Sequence, residues 1–303
     1  MAQTVQLDRV LHTVCALFLL VSFCGLVRAK ETKTVTSGLA EINGTKLYYE
    51  TAGRGRVIVL VHGGLVDSRL WDDQFRAFAK EYRVIRYDLR GFGKSEFPTT
   101  AFSHVEDLYA LLKFLKVERA SLVGLSLGGM IATDFTLEHP EMVEALVLTS
   151  SGLRGDTSPR NERTVAVYKA AEQEGMERAI EMWLEHPFFA TGRNNRTYNS
   201  KVRRMLADNF KYWGPTPQPI NLTWPKQPSI ERLSAIKAPT LIIVGDRDAP
   251  NILTIAETLR TKIGGAKKVS LSGTGHHLNM EKPREYNRIV RDFLRASRSP
   301  APY

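Results

Sequence analysis

Ser126 stands between two glycines in the segment Gly-Leu-Ser-Leu-Gly, which runs from Gly124 to Gly128. An apolar, strand-like stretch precedes this segment and a helix-like stretch follows it, which is the context that a nucleophile elbow requires. Glycine lacks the Cβ atom that would block a sharp turn, so the serine hydroxyl can stand exposed above the strand end. The start of the following helix also favours negative charge near the serine. These residues predict nucleophilic chemistry at Ser126, and an incidental serine in a tight glycine turn is the alternative.

A serine hydroxyl becomes a good nucleophile only when a base accepts its proton. His276 lies in a glycine-rich loop after the final apolar strand, where a base can reach the carboxyl edge of a parallel sheet, and His277 is adjacent. The imidazole needs an acceptor that fixes its tautomer and stabilises its charged form. Asp248 follows the penultimate strand and fits this role, whereas Asp246 is better suited to capping the same turn through backbone N–H groups. Spacing alone leaves both histidines open as the base.

The run His-Gly-Gly-Leu, from His62 to Leu65, directly follows another apolar strand. Such a loop can aim a backbone N–H at the carbonyl oxygen of a substrate. Together with the N–H of Leu127 it would form an oxyanion hole, commonly the largest electrostatic contribution to acyl transfer. Gly64 is the preferred donor and Leu65 the second choice, and we expect His62 to hydrogen-bond the loop backbone.

Apolar strands alternate with amphipathic helices after residue 30, stop near Gly152 and return at about residue 239. Unbroken Val/Ile/Leu strands separated by such helices indicate a mostly parallel sheet with helices on both faces. The intervening stretch is helical and rich in Pro, Trp and Asn. We therefore predict an α/β core over residues 30–151 and 236–303, interrupted by a helical cap over residues 152–235.

Aromatic residues in the predicted cap have two possible roles. They can line an apolar pocket for an acyl or alcohol group, or they can attach the cap helices to the core. The candidates are Trp183, Phe188, Phe189, Tyr212 and Trp213.

An apolar stretch from Val10 to Val27 follows Arg9 and ends just before a possible cleavage site after Ala29. This is the layout of a secretory signal peptide over residues 1–29. It predicts an exported protein, periplasmic or secreted, with no stable membrane association after cleavage. An uncleaved membrane anchor is the alternative, because the stretch is near the lower length limit for a spanning helix.

The overall composition argues against several classes of partner. The net charge of the 303 residues is +10, but lysines and arginines are scattered among acids, which indicates a solvated basic surface and no nucleic-acid partner. Gly91–Ser95 resembles a phosphate-binding loop, but Asp88 occupies the position of a required glycine. Both cysteines, Cys15 and Cys24, lie in the predicted signal peptide, and no Cys/His cluster has zinc spacing. We therefore expect neither a metal nor another cofactor.

The sequence resembles the α/β-hydrolase superfamily across essentially the whole mature chain. The resemblance implies that the histidine right after the glycine, His276, and the second acid of the Gly-x-x-Asp turn, Asp248, complete a triad with Ser126. The matching segments are His62–Gly64, Asp88–Ser95, Gly124–Gly129, Gly245–Asp248, Gly275-His276 and Glu281–Pro283.

Within this superfamily, the run from Tyr82 to Ser95 and the serine elbow are most similar to cap-bearing esterases, enol-lactone hydrolases and cofactor-free perhydrolases. Haloalkane dehalogenases and epoxide hydrolases carry an aspartate where Ser126 stands, which argues against both. Carbon–carbon bond hydrolases usually extend the oxyanion loop with Gly-Pro-Gly, and here the loop continues from Gly64 to Asp67 as Gly-Leu-Val-Asp.

The resemblance implies an α/β-hydrolase fold and a serine-dependent hydrolase that cleaves a small-molecule ester or lactone through an acyl-enzyme. Alternatives on the same triad are perhydrolase or haloperoxidase-type activity and carbon–carbon bond hydrolysis. A non-catalytic ligand-binding protein on this fold is another. The oligomeric state stays open.

Overall fold

A two-stranded hairpin begins the part of the chain that the computed structural model describes, namely residues 34–158, 162–215 and 221–297. Strands β1 (Thr36–Ile42) and β2 (Thr45–Ala52) pair antiparallel around Asn43 and Gly44. These two residues have φ of 46° and 67°, as the tight turn of a hairpin requires, and the Asn-Gly pair predicts this turn. The predicted signal peptide lies outside the described residues.

Eight strands form one sheet in the order β1-β2-β4-β3-β5-β6-β7-β8. Strand β2 runs antiparallel to both its neighbours, and every pair from β4 to β8 is parallel. The central strands are buried and rich in Val, Ile and Leu, which is the pattern of a sheet covered on both faces. The predicted α/β architecture with a mostly parallel sheet is confirmed. The remaining strands are β3 (Val57–Val61), β4 (Arg83–Tyr87), β5 (Ala120–Leu125), β6 (Val143–Thr149), β7 (Thr240–Gly245) and β8 (Lys267–Leu271).

Helices cover the two faces of this sheet through separate apolar clusters. On β3, Val59 and Val61 belong to one cluster, and Ile58 and Leu60 belong to the other, as the two-residue period of a strand dictates. Helices α2, α3 and α9 contribute to the first cluster, and α1 and α11 to the second. None of the described helices is long and apolar enough to cross a membrane. The helices of the core are α1 (Asp72–Phe78), α2 (His104–Phe114), α3 (Leu127–Glu138), α9 (Pro250–Lys262), α10 (Leu278–Glu281) and α11 (Pro283–Ala296).

Between β6 and β7 the chain is helical, while the two strands themselves pair as neighbours, so the sheet continues across this segment. We use the word cap for residues 152–235, whose boundaries stay a prediction. The polar run Arg193–Arg196 is expected to be a surface loop, but Asn195 caps the next helix by accepting hydrogen bonds from the N–H groups of Thr197 and Tyr198 at 3.0 and 3.2 Å. The cap helices are α4 (Glu162–Gln173), α5 (Met176–Glu185), α6 (Pro187–Ala190), α7 (Arg196–Asp208) and α8 (Phe210–Trp213).

Candidate active site

Ser126 forms the sharp turn between β5 and α3. Its φ of 54° and ψ of −113° are unusual for a residue with a side chain, and strained backbone of this kind is concentrated at functional sites. A Cβ on Gly124 would lie 2.3 Å from the carbonyl oxygen of Gly128, and a Cβ on Gly128 would lie 2.2 Å from that of Val61. The turn therefore needs glycine on both sides of the serine, as the spacing predicts.

A cavity of about 340 Å³ opens beside this turn. Ser126, Leu127, Gly64 and His276 all line it, so four of the five predicted site residues meet at one surface. Leu127 is the first residue of α3, and N–H groups in the first turn of a helix have no intrahelical partner. Every aromatic residue proposed for the cap pocket also lines the cavity: Trp183, Phe188, Phe189, Tyr212 and Trp213.

Asp248, the fifth predicted residue, lies behind His276. The imidazole Nδ1 of His276 is 3.0 and 3.1 Å from the two carboxylate oxygens of Asp248, and both side chains are buried. Asp248 also accepts a hydrogen bond of 2.7 Å from the backbone N–H of Ala249. This geometry fixes the imidazole with Nδ1–H toward the acid, which leaves Nε2 as the nitrogen able to accept a proton.

The two alternative residues have different partners. The Nδ1 of His277 is 3.1 Å from the hydroxyl of Tyr198. Burial, followed by the neighbouring His276, holds the pKa of His277 well below its usual range. Asp246 accepts a 2.7 Å hydrogen bond from the N–H of Gly273 and another of 3.1 Å from the hydroxyl of Ser272, so it ties two loops together. Among the described residues, only the pair His276 and Asp248 therefore joins an imidazole at the cavity to a buried carboxylate.

Known proteins are similar to this chain over most of its length. Residues 56–283 match the family with the alpha/beta hydrolase fold. The chain belongs to the α/β-hydrolase superfamily. It is 31% identical over 288 residues, or 87% of this chain and 97% of the other, to the 2-hydroxy-6-oxononadienedioate/2-hydroxy-6-oxononatrienedioate hydrolase of Burkholderia vietnamiensis.

Two solved structures of α/β-hydrolase type are similar over nearly their whole lengths. The enol-lactonase from Burkholderia xenovorans superposes with a TM-score of 0.72 at 27% identity, covering 85% of this chain and 99% of that one. The thermophilic esterase from Thermogutta terrifontis, with malate bound, superposes with a TM-score of 0.72 at 27% identity, covering 88% of this chain and 100% of that one.

In this α/β-hydrolase the cap contacts the histidine loop directly. The ring of Phe188 stacks on the imidazole of His276, with centroids 4.2 Å apart and planes 21° apart. The ring of His186 also packs against Phe188, with centroids 4.6 Å apart. Burial, followed by the charge of His276, lowers the pKa of His186 to about 4. The stack was not predicted, because Phe188 was expected only as a pocket wall or a packing residue.

A half-buried carboxylate also supports the histidine loop. Glu281, at the end of α10, accepts a 3.0 Å hydrogen bond from the N–H of Gly275, and the hydroxyl of Thr191 in the cap lies 3.5 Å from it. Burial, together with the charge of Asp248, raises the pKa of Glu281 against the opposing effect of the hydrogen bond from Gly275. In the sequence, Glu281 was noticed only as part of a family motif.

The oxyanion loop is held at its start by His62. Its Nε2 accepts a 2.9 Å hydrogen bond from the N–H of Leu89, and its Nδ1 donates to the carbonyl of Gly63 at 2.7 Å. Burial lowers the pKa of His62, which keeps the ring neutral and both of these bonds intact. Its side chain therefore bonds the loop backbone, as expected, and Leu65 further along the loop has a φ of 71°.

The described residues contain no group of three or more His, Cys, Asp or Glu side chains arranged to hold a metal ion.

Proposed function

We propose that this α/β-hydrolase is a serine-dependent hydrolase that cleaves a carboxylic ester or lactone. The observation that carries the proposal is the pairing of His276 with the buried Asp248 at a cavity that Ser126 also lines. A base oriented by a carboxylate, next to a serine on a strained turn, is the arrangement that activates a hydroxyl for acyl transfer.

In the proposed mechanism the Oγ of Ser126 attacks the carbonyl carbon while Nε2 of His276 takes its proton. The backbone N–H groups of Gly64 and Leu127 donate hydrogen bonds to the oxyanion that forms. When the tetrahedral intermediate collapses, the bond to the leaving oxygen breaks and His276 returns the proton to that oxygen. Water then attacks the acyl-enzyme, again with His276 as base, and the acid is released from Ser126.

The walls of the cavity favour an uncharged acyl group. None of the described residues that line it is Lys or Arg, and most are aromatic or aliphatic. An ionised carboxylate taken out of water without a cationic partner costs several kcal/mol. A dienedioate, named as the substrate of the Burkholderia vietnamiensis relative, carries two carboxylates, so this lining supports an ester or lactone over a dicarboxylate substrate of that kind.

The test is a panel of p-nitrophenyl esters and lactones of graded chain length, with a 2-hydroxy-6-oxo-dienoate and acetate plus peroxide as the competing arms. Ser126→Ala should lower turnover by about three orders of magnitude or more. Ser151→Ala is the matched control, because Ser151 follows β6 near the elbow but does not line the cavity. Turnover by Ser126→Ala near the wild-type rate would contradict the proposal, and faster turnover of the dienoate would favour the second reaction.

A further inference from the structure

A buried polar bridge joins the cap to the oxyanion loop, residues 62–68. The carboxylate of Asp67 accepts a 2.9 Å hydrogen bond from Nδ2 of Asn209, and both side chains are buried. The Oδ1 of Asn209 accepts a 2.7 Å hydrogen bond from the backbone N–H of Gly93. One amide of the cap therefore binds two loops of the core, and we call the contacts of Asp67, Asn209 and Gly93 the cap bridge.

The carboxylate of Asp67 also binds Arg69. It accepts hydrogen bonds from the backbone N–H of Arg69 at 3.1 Å and from its guanidinium at 2.8 and 2.6 Å. Burial opposes ionisation of Asp67, but the hydrogen bonds and charge of Arg69, with the contribution of Asn209, outweigh it and hold the pKa of this carboxyl below its usual range. A buried carboxylate with this many partners fixes the chain on which it stands, because each lost partner leaves part of a buried charge without a hydrogen bond.

Capping of α8 does not explain the side chain of Asn209. Asparagine is a common residue at the start of a helix, where its side chain accepts from the helix N–H groups. Asn209 precedes α8, yet no side-chain cap bond forms there. Instead its Nδ2 donates hydrogen bonds to the carbonyl of Met205 at 2.7 Å and to the carboxylate of Asp67, and its Oδ1 accepts a hydrogen bond from the N–H of Gly93. Two of its three hydrogen bonds therefore go to loops of the core, and the third goes to the end of α7.

Two anchors bracket the cavity-lining part of the oxyanion loop. His62 holds its start, Asp67 holds its end, and Gly64 and Leu65 lie between them. Leu65 has a φ of 71°, a conformation that persists in a residue with a side chain only when its surroundings over-determine it. The cap bridge supplies part of that constraint from outside the core.

We propose that Asn209 is a positioning residue for the oxyanion hole: through Asp67 it holds the backbone N–H of Gly64 where the oxyanion forms. The inference rests on the proposed function, since the oxyanion hole has meaning only for acyl transfer. Donors must lie about 2.7–3.1 Å from the developing oxyanion, and a misplacement of about 1 Å can lower the rate about a hundredfold.

The first test replaces Asn209 with leucine, which keeps the volume and removes the hydrogen bonds. Asn209→Leu should lower kcat about 10- to 100-fold with KM within about threefold, and weaken a boronic acid transition-state analogue by a similar factor. The matched control is Asn199→Leu, the same substitution on α7, because the amide of Asn199 donates to the carbonyl of Arg193 at 3.2 Å and contacts neither Asp67 nor Arg69. A wild-type kcat in folded Asn209→Leu, or a loss that only tracks the unfolded fraction in a thermal melt, overturns the proposal.

A second test exchanges the amide and the carboxylate of the cap bridge between positions 209 and 67. Asn209→Asp places a second carboxylate beside Asp67 and should lower kcat at least as much as leucine does. Adding Asp67→Asn restores an amide–carboxylate pair with the donor on the other side, and should recover at least about threefold of kcat, a coupling that a double-mutant cycle measures. Additive losses in the cycle would contradict the bridge.

Hydrogen exchange of the peptide covering residues 62–68 gives a readout that needs no substrate. Exchange should accelerate in Asn209→Leu and stay at the wild-type rate in Asn199→Leu. If the wild-type protein shows no Ser126-dependent turnover, the proposed function fails while exchange still tests the bridge. If the wild type is active but Asn209→Leu keeps both its kcat and its exchange rate, the bridge alone fails.

Discussion

The cap contacts the candidate site on two sides, and the two contacts are of different kinds. On the oxyanion side, Asn209 and Asp67 form a buried hydrogen bond of 2.9 Å. On the base side, the ring of Phe188 stacks on His276 at 4.2 Å, and the nearby polar contact of Thr191 with Glu281 is long, at 3.5 Å. Hydrogen bonds are directional and fix a distance, whereas aromatic rings stay in favourable contact over a wider range of positions.

This difference matches what each side must do in the proposed mechanism. The oxyanion donors act best when they are fixed before charge develops. His276 instead has to exchange its proton first with Ser126 and then with the leaving oxygen, which lie at different points of the cavity. A stacked ring holds the imidazole in the site and still allows a small rotation. We infer that the cap fixes one half of the site and restrains the other.

The largest effect should come from removing the base itself. His276→Gln should lower kcat by about three orders of magnitude or more, because no other imidazole at the cavity contacts a carboxylate. His277→Gln is the matched control, since His277 bonds Tyr198, and we expect it to lose less than about tenfold. Steady-state rates on the best ester of the panel decide between the two, and a larger loss in His277→Gln would reverse the assignment.

A smaller effect should follow from removing the stack. Phe188→Leu keeps an apolar side chain but loses the ring, and aromatic pairs contribute about 0.5–1.5 kcal/mol beyond their buried area, which corresponds to about a 2- to 12-fold loss in kcat. Phe188→Tyr retains the ring and should stay near the wild-type rate. Phe189→Leu serves as the control, because Phe189 contacts His277 and not His276.

The proposed difference between the two sides would be contradicted if the losses in kcat on the two sides came out in the opposite order. The polar bridge predicts a loss of about 10- to 100-fold for Asn209→Leu, which exceeds the expected loss for Phe188→Leu. A Phe188→Leu protein slower than Asn209→Leu would mean that the base, and not the oxyanion hole, depends more strongly on the cap.

The sequence predicts the parts of the site that local chemistry dictates. Ser126 is recognisable because its turn needs glycines at fixed positions, and the fold follows from apolar strands that alternate with helices. The pairing of His276 with Asp248 joins residues 28 positions apart, so spacing left His277 open and only the family resemblance favoured His276. In the structure, His277 is next to Tyr198 instead.

The cap bridge has no comparable signal. Asn209 and Asp67 are 142 positions apart, and each is an ordinary polar residue near a helix start. Asp67 caps a short 3₁₀ helix, Ser68–Trp71, by accepting a hydrogen bond from the N–H of Arg69, and Asn209 directly precedes α8. Their mutual contact depends on how the cap lies on the core, and that packing is a property of the whole chain.

The buried histidines on both sides of the site should have the smallest effect on activity. Their expected effect is on stability. His104 is near the oxyanion side, packed edge-on against Phe102, and burial lowers its pKa to about 3. His186, on the base side, has its pKa lowered to about 4, first by burial. Both are therefore neutral in the folded protein at mildly acidic pH, whereas the unfolded chain binds protons at these groups as the pH falls through their ordinary pKa of 6.5.

Because the unfolded state then binds more protons, the free energy of unfolding should fall as the pH decreases from about 6.5 toward 4. Each such histidine contributes up to about 1.4 kcal/mol per pH unit in this window. Urea unfolding of wild type and His104→Gln at several pH values measures the slope, which should be smaller in the variant by up to that amount whatever its stability at neutral pH. Equal slopes would show that His104 takes up its proton in the folded protein as readily as in the unfolded chain, and the same measurement on His186→Gln would show whether the base side alone sets the acid sensitivity.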